Sequence, residues 1–147
     1  MSLLRTRILG AWELVTFDAC DTATGEMRQP LGRKPRGLIL YTADGFMSAQ
    51  LAPEGNGIEL GGYIAYSGPF HIDEQTSTVR HDVRMATMQD LLMQPQIRQV
   101  MLDNDRLILS ATMTDDTGIT TRSTLTWRRP PAAINSGYYP FQNGDTQ

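Results

Sequence analysis

Cysteine is nearly absent from this sequence: Cys20 stands alone among 147 residues. That excludes an internal disulfide and fits a reducing compartment, so a cytoplasmic location is the expectation. Histidine occurs only at positions 71 and 81. With no cysteine cluster to join them, no metal site is expected. Lysine is reduced to Lys34 against twelve arginines, a bias read as codon usage rather than function. The formal net charge of −3 has the wrong sign for a nucleic-acid or anionic-membrane partner, and neither is expected. No apolar run approaches the ~20 residues needed to span a bilayer. The opening "MSLLRTRILGAWELV" is broken by Arg5, Arg7 and Glu13 and lacks a signal-peptide cleavage site. Catalytic signatures are missing too. There is no Gly-x-Ser-x-Gly elbow and no dinucleotide fingerprint. "GNGIELGG" (55–62) has neither the lysine nor the strand-loop-helix setting of a phosphate loop, and reads as a lid. No cofactor is expected.

What is present is a period of two. In "GLILYTADGFMSAQL" two alternating runs are joined by Thr42 to Gly45, with Gly45 expected at positive φ. Similar hairpins turn at 73–76 and 103–105, and the segment 114–117 leads into a last strand. Eight strands result, near 10–20, 36–42, 46–51, 64–72, 77–85, 96–102, 106–113 and 118–128. Only Ser2 to Ile8 reads as helix, a single turn with Ser2 as its N-cap. Residues 130–147 carry no period and read as an irregular tail after a domain spanning 1–129. Short turns alternate with the longer connections 21–35, 52–63, 86–95 and 114–117. An up-and-down meander produces that alternation, with one end tightly sewn and the other ringed by loops. An even strand number lets the last strand pair with the first, giving an eight-stranded antiparallel barrel with room for one small ligand.

In such a barrel Trp12 and Trp127 meet at the sewn end and fill it. Arg128 or Arg129 can lay its guanidinium over an indole face, and Gly10 lets the chain pass close beneath. Gly10-Ala11-Trp12 at the start and an arginine at the end resemble the pattern of lipocalins. The chain is similar more specifically to bacterial and fungal lipocalin-like domain proteins, barrels of the calycin type. The likeness runs through "GAWELVTF", "PLG", "GLILYTADGFMSAQL", "AYSGPFHID", "VRHDV", "RQVMLDNDRLIL" and "LTWRR", about residues 8 to 129.

Alternation assigns inward positions. These are Ile39, Tyr41, Met47, Ala49 and Leu51; Tyr66, Gly68, Phe70 and Ile72; Val79, His81, Val83 and Met85; Arg98, Val100 and Leu102; Leu107, Leu109 and Ala111; and Ile119, Thr121, Ser123, Leu125 and Trp127. On the first strand Trp12, Leu14 and Thr16 compete with Val15 and Phe17. The polar members Tyr41, Tyr66, His81, Arg98, Thr121 and Ser123, with the apolar Leu51 and Met85, make up the candidate ligand site. A cavity of apolar walls with a few convergent polar groups is the form of a small-molecule site. The plainer alternatives are a hydrogen-bonded core histidine, an Arg98 braced by Asp18 or Asp90, and a Tyr41 that belongs to the core. Met85, Met88 and Met93 form either an adaptable lip or ordinary packing.

Three functions follow. The first is a carrier of a small apolar or polyketide-like compound, with Arg98 and Tyr66 orienting a carboxylate, enol or phenol. The second comes from the resemblance, since some lipocalin-like proteins act as cyclases or isomerases in natural-product pathways. It would make His81 and Arg98 catalytic, moving a proton and stabilising an enolate without a cofactor. The third is a partner-binding module using Tyr138, Tyr139 and Phe141 of the tail. A homodimer also stays open.

Overall fold

Strands rich in β-branched and aromatic residues, broken at Asp-Gly and Asn-Asp turns, settle into one continuous antiparallel ladder. A computed structural model describes residues 3–55 and 62–131. A single helical turn, α1 (Leu4–Arg7), precedes β1 (Gly10–Asp21), β2 (Met27–Arg28), β3 (Arg36–Tyr41), β4 (Phe46–Ala52) and β5 (Ile64–Asp73). Then come β6 (Thr78–His81), β7 (Met85–Ala86), a 3-10 turn (Gln89–Leu92), β8 (Gln96–Asp103), β9 (Arg106–Thr114) and β10 (Thr120–Arg128). The order β1-β3-β4-β5-β6-β8-β9-β10 closes through β10 onto β1, which makes the eight-stranded up-and-down barrel. The two-residue strands β2 and β7 flank it, pairing with β1 and β5. Gly45 takes φ +98° in its turn, and Asn104 takes φ +47° in the 103–105 turn.

Two register shifts depart from strict alternation. Between β1 and β10, Leu14 faces Trp127 but Thr16 faces Thr126, so Val15 is an extra residue. The shift settles the ambiguity of the first strand. Trp12 and Leu14 are buried below it, and Phe17 packs against the core cluster with Ala19 buried above it. The second shift divides the strand expected at 77–85. Phe70 faces His81 and Ser67 faces Met85, so two residues of β5 oppose Asp82, Val83 and Arg84. The amides of Asp82 and Arg84 donate to the Pro69 and Ser67 carbonyls at 2.9 and 2.8 Å. Gly68 makes room for this bulge, because a Cβ there would drive into the Asp82 carbonyl oxygen. One extra residue reverses every later side chain. Met85, expected inward, is 71% exposed on the outer wall.

The core sits at the sewn end, where Ile8, Trp12, Ile39, Tyr41, Phe70, Val79, Leu107 and Trp127 are all but inaccessible to solvent. Leu14 on β1 faces Trp127, as the closure requires. The Trp12 indole donates from Nε1 to the Ile8 carbonyl at 2.8 Å. Of the two candidate arginines, Arg129 crosses the tryptophan, with Cζ 3.6 Å from the ring centroid. Its Nη1 and Nη2 donate to the carbonyls of Ala11 and Arg7, both at 3.0 Å. Arg128 instead pairs with Glu13 at 2.6 Å on the surface. Gly10 has φ +102°, and a Cβ there would lie 3.0 Å from Arg129 Nη1. The helical turn has Leu3 rather than Ser2 at its N-cap, with no side-chain cap of its own. Glu74 from the β5–β6 turn supplies the cap, accepting the Leu4 and Arg5 amides at 2.9 Å each. Of the lid expected at 55–62, residues 56–61 lie outside the described residues, as do the tail anchors Tyr138, Tyr139 and Phe141.

Candidate functional site

Above the packed floor the barrel widens into a cavity of about 200 Å³. Phe17 from β1, Leu51 from β4, Ile64 and Tyr66 from β5, and Arg98 from β8 contribute to its wall. Leu109, Ala111 and Met113 of β9 and Ser123 and Leu125 of β10 complete the ring. Leu91, from the 3-10 turn that follows β7, reaches the same space from the loop side. A recess of about 480 Å³ lies on the outer wall among Ser48, Gln50, Ser67 and Met85, but among the described residues no charged group lines it.

Among the described residues Arg98 is the one charged residue in the cavity lining. It is half-buried, and its guanidinium is oriented by neutral acceptors: Nη1 donates to the Ile97 carbonyl at 3.0 Å and Nη2 to Gln96 Oε1 at 3.1 Å. Gln96 is itself buried and donates from Nε2 to the Gln94 carbonyl at 2.9 Å. Among the described residues no carboxylate pairs with Arg98. The bracing by Asp18 or Asp90 is therefore absent, and Asp18 accepts from Gln29 instead. A half-buried cation held by neutral acceptors alone would gain a charge-assisted hydrogen bond from a ligand anion.

Behind Tyr66 runs a buried polar chain. Tyr66 Oη lies 3.3 Å from His81 Nδ1, and His81 Nε2 lies 2.7 Å from Tyr41 Oη. The two phenol rings flank the imidazole at centroid distances of 5.8 and 5.7 Å. Burial, and after it the Arg98 charge, push the His81 pKa down to about 3, with Asp82 opposing both. The imidazole is therefore neutral near pH 7. Burial raises the pKa of Tyr66, and that of Tyr41 well above the ordinary phenol value. Both tyrosines keep their protons.

The structure thus gathers Tyr66, Leu51, Arg98 and Ser123 around one cavity and places others elsewhere. His81, with 0% exposure, does not line the cavity and meets it only through Tyr66. Tyr41 lies deeper still, in the core. Thr121 lies toward the rim, in a separate cleft with Asp21, Glu26 and Arg28, because the β2 hairpin folds against β1 at that level. Met85 is removed to the outer wall by the bulge. Met88 and Met93 are also exposed, and a leucine, Leu91, provides the apolar contact from that loop. Gln96 was missed, although it lies two residues before Arg98 and so on the same face. The position of Leu91 carries no periodic signal, since it sits in an irregular loop.

A closed eight-stranded barrel that begins at Gly10-x-Trp12 and ends with Arg129 across that tryptophan agrees with the comparison of the sequence with known families. Residues 9–57 and 59–130 match the model of the lipocalin-like domain. A comparison with curated proteins found no match. The chain belongs to the lipocalin-like domain family.

Proposed function

We propose that this protein binds a small, mainly apolar compound in the barrel cavity, with the compound's polar end at Arg98. The observation that carries this reading is the guanidinium fixed by Gln96 and Ile97 in a mainly apolar wall, without a carboxylate partner among the described residues. A volume of about 200 Å³ exceeds that of an engineered apolar cavity known to hold benzene, and falls short of drug-sized pockets. A one-ring compound fits that range. The same cavity would serve a cofactor-free cyclisation or isomerisation, with Arg98 stabilising a developing enolate. In that scheme Tyr66 rather than His81 would face the reacting atoms, because Tyr66 lines the cavity. The test is native mass spectrometry of the protein from its own host, joined to methyl NMR during toluene titration. A bound small molecule, or toluene shifts confined to Leu51, Ile64, Leu91, Leu109 and Leu125, is the expected result. An empty protein whose cavity methyls do not respond to toluene would overturn the reading.

A further inference from the structure

The buried chain Tyr41–His81–Tyr66 has a direction. Tyr41 is 2% exposed, and His81 is the only hydrogen-bond partner of its hydroxyl among the described residues. A neutral imidazole offers one N–H and one lone pair. If Nε2 carried the proton, the Tyr41 hydroxyl would accept it and leave its own O–H buried without an acceptor. Buried donors are almost always paired. The satisfied arrangement has Tyr41 O–H donating to Nε2, which places the imidazole proton on Nδ1. Nδ1–H then donates to Tyr66 Oη. The Tyr66 hydroxyl cannot return its hydrogen to that nitrogen, so its O–H is free to turn into the cavity, where it joins the Arg98 guanidinium as a second donor.

We propose that Tyr41 and His81 are positioning residues that commit Tyr66 to donating a hydrogen bond into the cavity, so that the site selects an anionic oxygen acceptor such as a carboxylate, phenolate or enolate. This rests on the ligand-binding reading above and adds the chemical class of the ligand's polar end. A chain polarised in one direction strengthens its terminal donor, and a hydrogen bond to a charged acceptor is roughly twice as strong as a neutral one. Compounds that bring a donor or a cation to that end meet two donors and a positive charge.

Two measurements test the proposal on the intact protein. In the first, the ring-nitrogen shifts of His81 are read by 15N NMR near pH 7, with the exposed His71 as an internal reference. A protonated, pyrrole-like Nδ1 and a pyridine-like Nε2 are expected. The opposite tautomer overturns the direction of the chain, even if the cavity binds ligand. In the second, benzoate, benzylamine and toluene are titrated against wild type and Tyr66→Phe. Benzoate binds and benzylamine does not, and the substitution weakens benzoate about ten- to a hundredfold while leaving toluene within about twofold. Equal losses for benzoate and toluene would mean that Tyr66 acts only by packing. Toluene binding without any preference for benzoate over benzylamine would refute the acceptor rule and spare the cavity. Failure of all three to bind would instead refute the ligand-binding reading.

Discussion

Truncating Arg129 to alanine tests how the barrel floor is held. The side chain makes three contacts: a guanidinium 3.6 Å over the Trp12 ring, and hydrogen bonds of 3.0 Å to the Ala11 and Arg7 carbonyls. The stacked contact contributes about 0.5–2 kcal/mol, toward the lower part of that range because Arg129 is only half-buried. Each carbonyl that loses its donor adds about 1 kcal/mol, less for Arg7, which stays open to water. The sum is about 2–3 kcal/mol, or roughly 6–12 °C in Tm for a domain of this size. Urea unfolding followed by tryptophan fluorescence reads the first quantity and thermal circular dichroism the second. Arg129→Lys separates the contributions. A lysine keeps the positive charge over the indole but cannot span two carbonyls with a planar fork, so it should recover about half of the loss. Arg128→Ala is the control. Its exposed ion pair with Glu13 should contribute less than about 1 kcal/mol. If Arg129→Ala cost no more than Arg128→Ala, or if lysine restored full stability, the floor would not depend on the guanidinium fork.

Two further predictions concern the second bulge and the buried histidine. Gly68→Ala should destabilise the protein by about 3 kcal/mol, since its Cβ meets backbone, the Asp82 carbonyl, rather than a side chain that can swing away; wild-type stability in urea would show that the bulge rearranges freely. For His81, the groups acting on the ring are the phenols Tyr41 and Tyr66, the cation Arg98 and the carboxylate Asp82. With its folded pKa down at about 3, below the unfolded value near 6.5, only the unfolded state takes up this proton between those limits. Stability therefore falls as pH drops through 6.5. At pH 5 wild type should have lost about 2 kcal/mol more, relative to pH 7.5, than His81→Gln has. Equal losses in the two proteins would mean that the imidazole charges freely in the folded state.

The barrel was legible because its signals are local and repeated. Alternation identified Ile39, Ala49, Val79 and Leu109 as core, and loop lengths identified the sewn end, since both depend on the two-residue period and on turn chemistry alone. Glycine followed by tryptophan, with a distant arginine, reported the floor, although only the three-dimensional structure separates Arg128 from Arg129. They point to opposite faces by strand geometry, but either face is open at a strand end. What could not be read were places where one residue is added to a ladder. Neither Val15 nor the 82–84 segment has a composition that marks it as a bulge, because the signal resides in the partner strand. Gly68 was the available clue: a glycine inside a strand pattern often marks a bulge or a close backbone approach. Alternation alone makes it simply an inward position, and Met85 with it.

The two bulges also explain why the cavity lies where it does. Below the one at Val15, β1 sends Trp12 and Leu14 into the core; above it, Phe17 joins the cavity wall. Below the one at 82–84, β6 sends Val79 and His81 inward; above it only the two-residue β7 rejoins β5, with Met85 turned outward, and the 3-10 turn supplies Leu91 in place of a strand residue. An unbroken strand through position 85 would have put two more large side chains, Val83 and Met85, into the space the cavity occupies. A bulge bends its strand and locally increases the twist, so two of them on opposite sides of the barrel separate a filled lower half from an open upper half. His81 is the last inward residue before the second bulge, and it sits at that boundary. That position gives it two surroundings at once: it is buried deeply enough to stay neutral, and its Nδ1 lies 3.3 Å from the hydroxyl of Tyr66, a residue of the cavity wall.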